Sequence, residues 1–217
     1  MARFWHLSRK TPASRIFGYD RGRQSIARYY IDSFIADYSQ DIRGRVLELG
    51  DDSYMQRFAN DGITCADVLN LTSGSERTTI VADLTRPNYL KSNYYDCVIF
   101  TQTLQFIYDF KSAIEGVFRI LAPGGVLLAT MSGISQISRY DMDCWGEYWR
   151  LTTASAHRSL AETFPSKTLT IKSYGNVLAA SALLHGLASC ELSSSELDHL
   201  DPDYEVIIAA RAVKADA

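Results

Sequence analysis

Two periodicities alternate along the chain. Ile26, Tyr30, Ile31, Phe34 and Ile35 recur at helical spacing and predict an amphipathic helix from about Gln24 to Tyr38. Val46, Leu47 and Leu49 then form a short apolar run that stops at Gly50, the pattern of a buried strand entering a tight turn. Asp51, Asp52 or Ser53 would cap the helix that starts there. A second run, Ile63 to Asp67, predicts the next strand, closed by its carboxylate. The polar stretch from Leu69 to Thr79 carries Gly and Ser and reads as a loop. Further strands are expected at Thr79–Asp83, Tyr95–Phe100, Val126–Met131, Leu169–Tyr174 and Glu205–Val213. Ile107, Phe110, Ile114, Val117, Phe118 and Leu121 line one face of a helix capped by Asp109 and stopped by Pro123-Gly124-Gly125. Thr152–Phe164 and the strongly apolar Val177–Cys190 complete the helices.

Strands alternating with helices define an α/β fold: a single Rossmann-like domain with a mostly parallel seven-stranded sheet, helices on both faces and an antiparallel C-terminal edge strand. The domain spans 24–217. Residues 1–23 mix Arg3, Phe4, Trp5, Arg15, Tyr19 and Arg21 without periodicity. They read as an N-terminal arm or, alternatively, as a cap over a bound ligand with Tyr19 and Arg21 as its contacts.

Composition narrows the function by exclusion. A chain of 217 residues suits one well-buried domain. Its net charge of -3 offers no basic footprint, so nucleic acid is not an expected partner. Four scattered cysteines without a CxxC pair give neither a zinc site nor a disulfide framework, and no metal is expected. No apolar run approaches a membrane span and the N-terminus has no signal-type segment, so the expected compartment is cytoplasmic, with no membrane partner.

Chemistry gathers at the predicted strand ends. In parallel sheets ligands bind outside the carboxyl ends of the strands, and Gly50, Asp67, Asp83 and Thr101 all fall at such ends. A dinucleotide pyrophosphate needs several glycines at this turn. Here one glycine stands among Glu48, Asp51 and Asp52, which repel phosphate and suit a cationic cofactor with a ribose diol. S-adenosyl-L-methionine has that chemistry. Asp67 follows the turn at about the 20-residue spacing of a ribose-binding acid. One tyrosine of the first helix, Tyr30, is a further candidate contact. The stretch Ser132–Arg150 is rich in aromatics and charge and is the candidate acceptor wall, with Arg139, Tyr140, Trp145 and Trp149 as substrate contacts. The alternative is that Trp145 and Trp149 pack this loop on the core. Methyl transfer to a hydroxyl profits from a general base, for which His157, Asp141 and Asp143 are the candidates, while His185 reads as structural by its apolar setting.

These residues together give the chain a resemblance to the class I S-adenosylmethionine-dependent methyltransferases over about residues 24–213. The matching pieces are Val46-Leu47-Glu48-Leu49-Gly50, Asp67, Ala82-Asp83-Leu84, Tyr95-Asp96-Cys97-Val98-Ile99, Leu121-Ala122-Pro123-Gly124-Gly125 and Tyr148-Trp149-Arg150-Leu151-Thr152. It is most similar to small bacterial members associated with glycan and glycosyl-transfer gene clusters. The resemblance implies that Glu48, Gly50 and Asp51 lie at the methionine end of the cofactor, Asp67 at the ribose, and Val68, Asp83 and Leu84 around the adenine. It places Thr101 and Gln102 near the methionine moiety. The implied activity is methylation, on oxygen, of a small-molecule or glycan acceptor, with S-adenosyl-L-homocysteine as product. Asp52 and Tyr54 depart from the pattern by replacing its later glycines. Two alternatives remain open: an inactive partner or scaffold domain, and a cofactor-binding enzyme of non-methylating chemistry. The apolar C-terminal helix reads as core or as a homodimer contact.

Overall fold

The computed structural model of the chain describes residues 10–86 and 89–215. At its centre is one sheet of strands β1 (Gly44–Leu49), β2 (Ile63–Asn70), β3 (Ile80–Val81), β4 (Tyr95–Thr101), β5 (Leu121–Ser132), β6 (Leu169–Tyr174) and β7 (Ile207–Val213). Their order is β3-β2-β1-β4-β5-β7-β6. The first five run parallel, and β7 lies antiparallel between β5 and β6. This is the expected α/β architecture. The strand order reverses between β1 and β4, which opens a crevice at their C-terminal ends.

Alternation along the strands sends side chains to two apolar layers. Val46, Val68, Cys97, Ile99 and Ala209 pack under α1 (Ile26–Asp37), α2 (Ser53–Phe58) and α6 (Val177–Leu184). Leu47, Leu49, Val98, Phe100, Leu127 and Ala210 pack under α3 (Phe110–Ile120) and α5 (Thr153–Ala161). The helix starts follow from the residues that cap them. Ser25 accepts the Arg28 N–H, Asp109 the Ser112 N–H and Asn176 the Ala179 N–H, while Thr152 and Ser155 form a reciprocal capping box. Two shorter helices, α4 (Arg139–Cys144) and α7 (Ser194–Leu197), lie in connections.

Three boundaries differ from the sequence expectation. β2 does not stop at Asp67 but runs on to Asn70, because Val68 and Leu69 continue the buried pairing with Glu48 and Leu49. β3 keeps only Ile80–Val81 of its expected length. α3 passes directly into β5, so Pro123-Gly124-Gly125 sits inside the strand's first turn instead of before it. A Cβ at Gly125 would lie 2.8 Å from the Ala122 carbonyl and 2.9 Å from that of Tyr95, a packing only glycine allows.

Residues 10–23 of the expected arm are docked, and residues 1–9 lie outside the described residues. The Ala13 N–H donates to the His185 carbonyl at 2.7 Å, Arg21 pairs with Glu191 at 2.5 Å, and Ser25 bridges to Ala188. Half of α6 (Ala179, Ala180, Ala182 and Leu183) is buried, which accounts for its apolar composition; Val177 and Leu184 stay exposed. Among the described residues no helix is long and apolar enough to cross a membrane.

Candidate active site

A cleft of about 550 Å³ opens at the C-terminal ends of β1, β2 and β4, on the α3 side of the sheet. That volume lies in the roughly 300–1,000 Å³ range of small-molecule sites. Its inner wall is built from Leu49 and Gly50 after β1, Leu69, Asn70 and Leu71 at the end of β2, and Ala82 to Thr85 after β3. The outer wall is Phe106 to Asp109, Asp141, Trp145 and Tyr148, with Gln102 and Thr103 between the two.

The turn after β1 has φ +93° at Gly50, and a Cβ built there would meet nothing within 4 Å. The missing side chain therefore leaves open space on the cleft. The neighbouring carboxylates are engaged elsewhere. Glu48 is buried and accepts the N–H groups of Tyr54 at 3.0 Å and Met55 at 2.8 Å, tying the start of α2 to β1. Burial pushes its carboxyl up to about 7, against the pull of those two amides. Asp51 accepts the Ser53 N–H, while Asp52 pairs with Arg77 at 2.5 Å and takes the Gln56 amide at 2.6 Å. Glu48 and Asp51 were expected to face a cofactor; here they hold the turn in shape, and between them Leu49 and Gly50 line the cleft.

Asp67 also sits elsewhere than expected. It pairs in register with Leu47, three residues short of the end of β2, or about 10 Å below the rim at strand rise. Its oxygens accept the Tyr95 hydroxyl at 3.0 Å and the Thr79 hydroxyl at 2.9 Å. Val68 points into the opposite core layer. Asn70 stands at the rim instead, its side-chain amide donating to the Gly50 carbonyl at 2.9 Å and the Thr78 hydroxyl at 2.8 Å. Asp83 and Leu84 line the cleft, with Asp83 Oδ1 holding the Thr85 N–H and hydroxyl. Gln102 lines it with φ +48°, a left-handed backbone uncommon for a non-glycine residue. The Gln102 side-chain oxygen accepts from Ser132 at 2.7 Å and from Gln105 at 3.1 Å. Thr101 lies just behind, outside the lining. Tyr30 is in the core, stacked on Tyr174 with its hydroxyl donating to the Leu197 carbonyl, so it cannot serve as a cofactor contact.

The loop between Ser132 and Leu151 is a closed excursion, its ends joined by the Leu151 N–H to the Ser132 carbonyl at 2.9 Å. Inside it the nearly buried Glu147 carboxylate pairs with Arg150 at 2.7 Å and accepts the Ser138 N–H at 2.8 Å. Trp145 and Asp141 reach the cleft. Trp149 does not: its indole N–H donates to the carbonyls of Ile107 and Tyr108, and its ring packs on Tyr108 and Phe110, which fixes the outer wall. Arg139 and Asp143 form an exposed i,i+4 ion pair on α4, and Tyr140 is exposed outside the lining. His157 is exposed on α5, outside the lining, and the His185 carbonyl anchors the arm. Of the three candidate bases only Asp141 lies at the cleft. Among the described residues no group of His, Cys, Asp and Glu could hold a metal ion.

Residues 34–129 match the family model described as "Methyltransferase domain". The match covers 96 of the 217 residues. A solved S-adenosylmethionine-dependent methyltransferase from Archaeoglobus fulgidus superposes with TM-score 0.55 at 9% identity, over 88% of this chain and 96% of that one. A second, from Mesorhizobium loti, does so with TM-score 0.54 at 16% identity, over 90% and 100%. The [4+2]-cyclase SpnF shares the fold with TM-score 0.55 at 16% identity, over 87% and 82%. No curated protein matches the chain in sequence. The cleft fits S-adenosylmethionine. Gly50 leaves room for a close approach, Leu49, Leu69, Leu71 and Leu84 make an apolar slot, and Asn70 and Asp83 offer polar groups beside it.

Which of Asn70 and Asp67 meets a bound ribose is directly testable. Asn70→Ala should weaken S-adenosylhomocysteine binding about fivefold, the worth of one hydrogen bond of about 1 kcal/mol. Asp67→Asn should leave that affinity unchanged and lower only thermal stability. Calorimetric titration of both variants decides between them, and the opposite pattern would restore Asp67 to the site.

Proposed function

We propose that the protein transfers a methyl group from S-adenosylmethionine to a hydroxyl of a small, sugar-like acceptor. The observation that carries this reading is the outer wall of the cleft. Trp145, Tyr148 and Tyr108 present partly exposed rings beside Asp141 and Asp109, and no lysine or arginine lines the cleft among the described residues. Exposed rings suit the C–H face of a sugar, and carboxylates accept from its hydroxyls. An anionic acceptor would meet no cation there.

The cofactor, when bound, supplies an electrophilic methyl group on a sulfonium. The chain's own residues align and desolvate the acceptor. Trp149 locks the Ile107–Tyr108 backbone, and the Tyr148 N–H donates to the Gln105 carbonyl at 2.8 Å, so the outer wall is pre-set against the end of β4. An acceptor hydroxyl held there would pass its proton to the Asp141 carboxylate, whose Oδ2 accepts from Ser138 Oγ.

The test is incubation with S-adenosylmethionine and a panel of glycosides, read by mass spectrometry. The expected result is an acceptor heavier by one methyl group together with S-adenosylhomocysteine. A product of unchanged mass would favour the second reading, non-methylating chemistry, which rests on the fold shared with a [4+2]-cyclase.

A further inference from the structure

Just past the end of β4 the chain makes a short 3-10 turn, Leu104–Phe106, in which Leu104 joins the core and Phe106 lines the cleft. Gln105 stands between them and does neither. It is 2% exposed and lies outside the lining. A polar side chain so deeply buried calls for an explanation in its hydrogen bonds.

Those bonds run to three parts of the site. Gln105 Nε2 donates to the Gln102 carbonyl at 3.0 Å, to Gln102 Oε1 at 3.1 Å and to Ser132 Oγ at 3.4 Å. Ser132 Oγ donates in turn to Gln102 Oε1 at 2.7 Å, so the three side chains close a ring. The Gln105 main-chain carbonyl accepts the Tyr148 N–H at 2.8 Å. One buried residue thus touches Gln102 in the cleft, Ser132 where the aromatic loop begins, and Tyr148 near that loop's end.

The orientation of the amide shows what it serves. Among the described residues no donor lies within hydrogen-bond distance of Gln105 Oε1, which is buried. Turning the amide over would set that oxygen against the two oxygens of Gln102, which is worse. The nitrogen faces Gln102 at the expense of its own oxygen. Gln102 needs holding, because its φ of +48° is strained for a residue with a Cβ. Its N–H donates to the Thr130 carbonyl at 2.8 Å and its Nε2 to Thr130 Oγ1 at 3.3 Å. Such strain persists only where the surroundings over-determine it, and Gln105 is the part of those surroundings that also reaches the loop.

We propose that Gln105 is a positioning residue for the transfer reaction, fixing Gln102 and both ends of the aromatic loop as one unit. An acceptor then meets a wall already in register with the rest of the cleft. This rests on the reading of the cleft as a methyl-transfer site. Gln105 acts through Gln102 and Tyr148, which line that cleft.

The test is Gln105→Met, which keeps the length of the side chain and removes its donors. Hydrogen exchange of the ligand-free protein reads the coupling without any acceptor. The expected result is exchange faster by about tenfold in both 101–106 and 133–151, with β1 and β2 as protected as before, which certifies the fold. Faster exchange confined to 101–106 would make Gln105 a local packing residue and overturn the proposal. Kinetics with an acceptor found in the glycoside panel supply the second readout. The acceptor kcat/KM should fall by about tenfold while the KM of S-adenosylmethionine stays within about threefold. Equal loss for both substrates would mean general loosening and would also overturn it. If Gln105→Met does not fold, Ser132→Ala, which cuts one link of the ring, carries the same expectations at smaller size. An unaltered protein that methylates no acceptor sinks the methyl-transfer reading alone, and the exchange result still decides whether Gln105 joins Gln102 to the loop.

Discussion

Gly50→Ala will cost the protein about 1–2 kcal/mol of stability and most of its cofactor affinity. The two effects have separate causes. At φ +93° a Cβ meets its own backbone, which costs about 1–2 kcal/mol and lowers the melting temperature by roughly 2–4 °C for each kcal/mol. Nothing in the folded chain lies within 4 Å of the added methyl, so no packing clash adds to that cost. The methyl instead enters the space where a ligand must approach the turn. Overfilling a closely fitted site costs about 1–3 kcal/mol, or roughly five- to 150-fold in affinity. Thermal unfolding without ligand reads the first effect, and titration with S-adenosylhomocysteine reads the second. Unchanged affinity in a destabilised variant would move the cofactor away from Gly50.

The same turn shows which parts of the site could be read from the sequence. Gly50 was legible because a lone glycine ending a buried run has one conformational reason to be there. Asp83, Leu84 and Gln102 were legible because each directly follows a strand whose end is marked. Asp67 misled, because a carboxylate closing an apolar run looks like a strand end. The run in fact continues through Val68 and Leu69 to Asn70, and Tyr95 and Thr79 satisfy Asp67 partway along the strand. Those partners lie far off in sequence, and no spacing rule reveals them. The acidic turn misled in a related way. Charge composition suggested a cationic ligand, but Glu48, Asp51 and Asp52 are held by amides and by Arg77.

The outer wall was half legible. An aromatic loop after a strand marked the region, and Trp145 and Asp141 reach the cleft from it. The i,i+4 spacing of Trp145 and Trp149 suggested one shared role. Yet the chain from Trp145 to Leu151 is not helical, so spacing does not put the two rings on one face. Phe106, Ile107 and Tyr108 went unassigned because their segment reads as the start of α3, whereas Asp109 begins that helix only after them. His157 has the right chemistry on the wrong side of α5.

Replacing Glu48 will change how stability depends on pH. Its folded-state value of about 7 lies above the ordinary 4.5, so the folded protein binds this proton more tightly than the unfolded chain does. A raised value contributes stability that is fully present below pH 4.5 and is lost as pH rises through 7. The shift corresponds to about 3 kcal/mol at 1.36 kcal/mol per unit. Glu48→Gln cannot titrate, so its stability lacks this component. The carboxamide also offers one acceptor where Tyr54 and Met55 present two donors, leaving one buried N–H unpaired at a cost of about 1–3 kcal/mol. The neutral amide escapes the penalty of burying a charge, so the variant should be less stable near pH 4.5 and gain about 3 kcal/mol on the parent by about pH 8, where the gap closes or reverses. Urea unfolding of both proteins across that range measures the gap, and other titrating groups cancel in the difference. Parallel curves would mean that the two amide bonds outweigh burial and keep Glu48 ionised. In either case the loosened start of α2 should displace Gly50 and Tyr54 together, so cofactor affinity falls along with stability, unlike the separable effects expected at Gly50 itself.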